Sequence, residues 1–246
     1  MSRTVIAGDI HLDYPAVETE KVREWVRGLL EDPPDAVILG GDVYELWRRD
    51  MAGVMWETDW FTSAMRELAE GGTNVEYVVG NHDGWFYTNT QEGHNYPFDV
   101  HVDYTFTSGG EYFFVTHGHK YEPMYNPIVN DALSVTNDYT GSLAHKLWAN
   151  RPLPGNLIER AALFPLGPAA SFLDPESTSK SRLRTEIINA GIEAESGDGA
   201  WGIYGHTHIP LVDEERKIAN WGSWTAGRAS YIEVVDGDVR FIDLFE

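Results

Sequence analysis

Five short polar clusters punctuate this 246-residue chain: Asp9-Ile10-His11, Gly41-Asp42, Gly80-Asn81-His82-Asp83, His117-Gly118-His119 and Gly205-His206-Thr207-His208. Together they supply what a pair of divalent ions requires: a carboxylate able to bridge, neutral nitrogens that hold each ion without excessive charge, and a polar group at each end. Asp42 is the natural bridge, because Gly40 and Gly41 beside it let the backbone approach closely. Asp9 and His11 stand two apart, as do His206 and His208, so an extended strand end would turn each pair to one face. Asn81 adds a neutral amide oxygen. Any one of these histidines alone reads more readily as a core or surface residue; the joint pattern is what points to metal. The chain has no cysteine, so thiolate sites and disulfides are excluded and an ion must rest on nitrogen and oxygen donors.

The elements that position these clusters are legible beside them. Each follows a short apolar, β-branched run that reads as a buried strand: Thr4 to Ala7, Ala36 to Leu39, Val75 to Val79, Tyr112 to Val115 and Trp201 to Tyr204. Strand ends pointing one way bring distant residues together. Apolar residues at helical spacing predict a helix over Glu18 to Leu30, stopped by Asp32-Pro33-Pro34, and another over Thr58 to Glu70, stopped by Gly71-Gly72. The stretch after Val79 reads as loop. It is followed by a strand over Val100 to Phe106 and a hairpin turn, Thr107 to Gly110, into Glu111 to Thr116. Near the C-terminus, Ile209 to Val212, Lys217 to Trp221, Ser230 to Val235 and Val239 to Leu244 read as strands, the last two joined through Asp236-Gly237-Asp238. This order predicts an α/β fold: a four-layer α-β-β-α sandwich of two mixed sheets. Residues 1–246 form one domain in this reading, with a helical insertion over about 120–200 whose helices run Ile128 to Trp148, Leu157 to Phe164 and Thr178 to Glu195.

In order and spacing, DxH, GD, GNHD, HGH and GHTH resemble the motifs of the calcineurin-like metallophosphoesterase superfamily, from Asp9 to His208. The resemblance implies that Asp9, His11 and His208 hold one ion, that Asn81, His117 and His206 hold the other, and that Asp42 bridges them. It implies two divalent ions, manganese first, with iron, zinc, nickel or magnesium as alternatives, which acidify a bridging water to hydroxide and clamp the phosphate during an in-line displacement. His82 is then the acid or phosphate contact, with Asp83 orienting its ring. His119 is either a support for His117 or merely a neighbour. A second resemblance is to bacterial UDP-2,3-diacylglucosamine pyrophosphohydrolases. Gly41-Asp42-Val43-Tyr44-Glu45-Leu46-Trp47 is similar to their GDLFExW stretch, and they too carry a helical insertion. This chain departs from them at His82, where they have arginine, and at His119, where they have aspartate. Glu45 and Trp47 are read as packing beneath the site. Asn220-Trp221-Gly222-Ser223 resembles the family's NxGS turn, with a strand-end turn as the plainer reading.

Substrate contacts are expected from Arg48, Arg49, Trp85, Lys120 and Arg228, where cations would grip phosphate and an aromatic ring would stack on a base or aryl group. Tyr121 to Tyr125 and Trp148 are candidate lid contacts. The expected activity is phosphoester hydrolysis on a small phosphomonoester, phosphodiester or nucleotide. A nucleotide-linked pyrophosphohydrolase, a nuclease and a non-catalytic scaffold are the alternatives. Net charge of −21, from 39 acidic against 18 basic residues, repels polyanions and disfavours long nucleic acid. Arginine outnumbers lysine 13 to 5, and the acidic surface fits either a halophilic source or an ordinary acidic protein. No window approaches the roughly 18 apolar residues of a membrane span, and the expected location is cytoplasmic. The sequence leaves the oligomeric state open.

Overall fold

The computed structural model describes residues 2–46, 49–91, 93, 96–122 and 178–245. Two mixed sheets dominate it. Among the described residues the first has six strands and the second five. In the first, β1 (Arg3–Ala7), β2 (Ala36–Leu39), β3 (Asn74–Val78) and β4 (Asp99–His101) run parallel, while β10 (Ser230–Val235) joins β1 antiparallel and pairs outward with β11 (Asp238–Asp243). In the second, β6 (Glu111–Thr116), β7 (Trp201–Tyr204) and β9 (Ile218–Asn220) are parallel, flanked by antiparallel β5 (Asp103–Ser108) and β8 (Leu211–Asp213).

Strand alternation divides the core in two. Val5, Ala7, Val37, Leu39, Val75 and Tyr77 face Val22, Trp25, Val26 and Leu29 of α1 (Thr19–Glu31) and Phe61, Met65 and Leu68 of α3 (Asp59–Glu70). The intervening Ile6, Ile38 and Val78 face the second sheet, where Phe113, Val115, Ile203, Ala219 and Trp221 meet them. Strands buried on both faces read as continuous apolar runs, which is why they were conspicuous in the sequence. On the far side of the second sheet lie the last turns of α5 (Thr178–Ser196). There Ile192 sits over Gly202, where an added β-carbon would overlap it.

Three differences from the sequence expectation have physical causes. Val100 to Phe106 is not one strand: β4 pairs with β3 in the first sheet, β5 pairs with β6 in the second, and the chain changes sheets at the exposed Val102. Two short helices stand where none was expected: α4 (Trp85–Gln91) in the stretch read as loop, and α2 (Met51–Glu57) in a stretch to which no element was assigned. In α2 the Asp50 side chain accepts from Gly53 N at 2.8 Å, a cap strong enough to start a helix with little periodicity of its own.

The chain divides into two compact units, residues 1–120 with 191–246, and residues 121–190. Both sheets belong to the first. Of the second, Tyr121, Glu122 and the start of α5 are described, and Arg184 Nε donates to Glu122 there. The helices expected over 128–148 and 157–164, with Tyr125 and Trp148, lie outside the described residues. Among the described residues no helix is long and apolar enough to cross a membrane.

Candidate metal centre

Asp9, Asp42 and His117 each follow the end of a parallel strand, and their side chains are buried within hydrogen-bond range or little beyond it. Asp9 and His117 are fully buried and Asp42 nearly so. The two carboxylates share one pattern, in which one oxygen is fixed by the protein and the other faces imidazoles. Asp9 Oδ2 accepts from His206 N and Trp221 Nε1, both at 2.8 Å. Its Oδ1 lies 3.3 Å from His117 Nε2, 3.1 Å from His208 Nε2 and 4.0 Å from His11 Nε2. Asp42 Oδ1 accepts from His82 N at 2.8 Å, while Oδ2 lies 3.4 Å from His117 Nε2, 3.8 Å from His82 Nε2 and 4.0 Å from His11 Nε2. Gly80 is obligatory here, since a β-carbon on it would overlap Asp42 Oδ1.

Three sets of donor atoms fall within 4.8 Å of one another: Asp9, His11 and His208; Asp42, His117 and His206; and His11, Asp42 and His82. The first brings together the three residues expected around one ion, and the second places the expected bridge, Asp42, beside His117 and His206. The third shows that His82 also approaches the centre. Asn81 Oδ1 is buried without a hydrogen-bond partner, a costly state for an amide oxygen unless something electropositive meets it. With its nitrogen and oxygen donors, this set fits divalent ions. His206 and His208 are only partly buried, so the centre opens on their side.

The backbone differs from expectation. Asp9, His11, Asp42, His206 and His208 all have positive φ, between 49° and 63°. They are therefore left-handed turn residues beyond the strand ends, and the extended-strand account of why Asp9 and His11, or His206 and His208, share a face is wrong. Non-glycine residues adopt this region at a cost of order 1–3 kcal/mol each and cluster at functional sites.

Glu45 is the residue the sequence reading undervalued. It is fully buried, its Oε1 is 2.8 Å from His82 Nδ1, and its Oε2 is 3.3 Å from His11 Nδ1. It is not packing. Asp83 does not orient His82: it accepts from Val43 N at 2.7 Å, Gly80 N at 2.7 Å and Tyr77 Oη at 2.5 Å, tying the GD and GNHD loops together. The signal available in the sequence was the three-residue spacing from Asp42 to Glu45, an acid placed where a short turn returns it to the site. His119 supports His117, with the two Nδ1 atoms 3.0 Å apart. Asn220 Nδ2 donates to Gly205 O at 3.0 Å and Thr207 Oγ1 at 3.1 Å, so the NxGS turn braces the GHTH loop.

The charges follow from this geometry. Burial works against an ionised Asp42, but His117, His82 and His11 hold its carboxyl down at about 2. Asp9, against a similar burial cost, is held well below the usual carboxylate range by His208 and His117. His117 is depressed by burial but lifted by Asp42 and Asp9 to about 9. His119, buried and facing His117 and His206, is pushed well below the ordinary histidine value. Asp83 is raised by burial and by Asp42.

Of the expected substrate contacts, two cations are paired with acids. Arg49 Nη2 is 2.9 Å from Asp13 and 3.2 Å from Glu57, and Lys120 Nζ is 2.7 Å from both Asp103 and Glu195. Arg228 is exposed and donates to His208 O at 2.8 Å, bracing the loop that carries His208. Trp85 is 48% exposed at the start of α4, and Arg48 and Trp47 lie outside the described residues.

Among solved structures, the chain is similar to a predicted phosphoesterase of Streptococcus pneumoniae TIGR4, with 17% identity, 98% of this chain and 89% of that chain covered, and TM-score 0.44. It is also similar to Yfce, a phosphoesterase from E. coli, with 17% identity, 98% of each chain covered and TM-score 0.46. A third is the hypothetical protein PH1004 from Pyrococcus horikoshii OT3, with 15% identity, 99% and 88% covered and TM-score 0.50, a likeness of fold alone. Comparison with curated proteins returns no match. The sequence profile of the calcineurin-like phosphoesterases matches residues 2–210, which contain all five clusters. The chain therefore belongs to the calcineurin-like phosphoesterase family and is a metal-dependent hydrolase of phosphoric esters.

Proposed function

We propose that this protein hydrolyses a small phosphomonoester, phosphodiester or nucleotide at a dinuclear centre, with Asp9, His11 and His208 holding one ion, Asn81, His117 and His206 the other, and Asp42 bridging. The observation that supports this most is the division of labour on the two buried carboxylates: each has one oxygen committed to fixed N–H donors and one turned toward the histidines. Two divalent ions bound there, manganese being the first to try, supply Lewis acidity to the phosphoryl oxygens and bring the ionisation of water toward neutral pH.

The chain's own residues do the rest. Asp9 and Asp42 neutralise much of the ions' charge, and their pinned oxygens keep the spacing fixed before substrate arrives. His82 is the general acid: Glu45 holds its Nδ1, which leaves Nε2 on the Asp42 side to give a proton to the leaving oxygen. Glu45 faces both His11 and His82, so one carboxylate orients a ligand and the acid together. A small substrate fits the surroundings, because Arg49 and Lys120 are occupied by acidic partners and the net charge is −21. The acidic surface and this site together suit a cytoplasmic enzyme, and one adapted to high salt.

The test is Mn²⁺-dependent hydrolysis of an aryl phosphodiester beside its monoester, at low and high salt, with His117→Ala as control. Turnover that needs metal and is lost in the control supports the assignment, and the ratio of rates sorts the ester class. Hydrolysis confined to a UDP- or CDP-linked substrate would move the reading to a pyrophosphohydrolase, and cleavage of oligonucleotides to a nuclease. Tight metal binding with no turnover on any of them would replace it with a scaffold.

A further inference from the structure

Trp221 lies directly beneath the centre. Its side chain is fully buried and belongs to the core between the two sheets. Its backbone N donates to Tyr204 O at 3.1 Å and its carbonyl accepts from Ser230 Oγ at 2.7 Å, so the residue is fixed at both ends. The indole underlies three loops at once: a β-carbon added at Gly8, Gly40 or Gly205 would overlap the ring. Those glycines immediately precede Asp9, the Gly41-Asp42 pair and His206.

The ring does more than fill space, because its one polar atom is aimed. Indole Nε1 can only donate, and here it donates to Asp9 Oδ2 at 2.8 Å. His206 N reaches the same oxygen at 2.8 Å. A carboxylate oxygen has two in-plane lone pairs, and both are taken. Asp9 is left with Oδ1 alone to turn toward His208, His117 and His11. A carboxylate free of these donors can chelate an ion through both oxygens, which raises its coordination number and loosens the choice of metal.

We propose that Trp221 is a positioning residue that restricts Asp9 to one-oxygen ligation and so sets the coordination number of the ion held by Asp9, His11 and His208. This rests on the reading of Asp9 as a metal ligand. The test uses Co²⁺ as the probe of geometry and Mn²⁺ as the probe of affinity, on the wild-type protein and on Trp221→Phe, which keeps an aromatic ring but lacks the N–H. The visible absorption of bound Co²⁺ weakens as coordination number rises. The expected result is a weaker, shifted Co²⁺ band in the variant and Mn²⁺ binding reduced by about 10- to 100-fold, the usual range for losing a partner of a metal ligand. An unchanged Co²⁺ spectrum and Mn²⁺ affinity, with only a lower melting temperature, would overturn the proposal and leave Trp221 as packing. Should Trp221→Phe fail to fold, replacement of Trp221 by benzothienylalanine, which exchanges N–H for sulfur in a ring of the same shape, gives the same two readings. No Co²⁺ binding by the wild-type protein would overturn the reading of Asp9, and this inference with it.

Discussion

The two sheets contribute unlike chemistry to one centre. Loops after strands of the first sheet bring both inward carboxylates, Asp9 and Asp42, together with His11, Asn81 and His82. Loops after strands of the second bring only imidazoles, His117, His206 and His208. The acids are also the better anchored partners: backbone N–H groups of His82 and His206 and the Trp221 indole hold them, and two of these three donors come from the second sheet. One sheet supplies charge and the other holds it in place. A centre built this way depends on both sheets being docked before any ion arrives.

The largest effect should separate the two sides. If Asp42 bridges two ions as proposed, Asp42→Asn is expected to abolish hydrolysis and reduce bound metal on both positions. His206→Ala should lower metal stoichiometry from two ions to one, measured by elemental analysis after gel filtration. Equal losses in both variants would break the comparison. Next, His82→Ala should lower kcat by about 10²- to 10⁴-fold with metal content unchanged, as for removal of a general acid. A variant that loses metal instead would make His82 a ligand. Glu45→Gln, which keeps shape but not charge, should cost about 10- to 100-fold in metal affinity or rate, and an unaltered enzyme would return Glu45 to a packing role.

The smallest effect is in the metal-free protein. His117 is raised to about 9 from 6.5, so its ion pair with Asp42 and Asp9 contributes fully below pH 6.5 and is lost as pH climbs through 9. The metal-free protein should therefore melt at lower temperature as pH rises across that window. With His117 as a metal ligand, as proposed, binding needs its neutral imidazole and releases this proton, so Mn²⁺ affinity should strengthen over the same interval. Calorimetric titrations in buffers of different ionisation enthalpy would count the proton, and no proton release would contradict the charge assignment.

Much of this fold is legible in the sequence, for a definite reason. Strands buried on both faces leave unbroken apolar runs, and Asp9, Asp42, Asn81, His117 and His206 stand just past their ends. What escaped is conformational or long-range. The left-handed backbone at Asp9 and His206 has no sequence signature when the residue is not glycine. Glu45 looked like a helix-start acid because its partners, His82 and His11, are distant in sequence. The strand break at Val102 carries no glycine or proline, since the two halves are separated by which sheet they join rather than by a local turn. Lys120 and Arg49 drew attention by proximity in sequence, and acidic partners that no local pattern reveals, Asp103, Glu195, Asp13 and Glu57, occupy both.

The left-handed residues around the centre also bear on how this protein can be engineered. Asp9, His11, Asp42, His206 and His208 are among the positions where a designer seeking a hardier scaffold could relieve backbone strain with glycine, which adopts their conformation freely. Each such replacement would delete a candidate metal donor. Robustness and turnover are thus opposed at the same five positions, and thermal hardening of this scaffold has to be sought elsewhere.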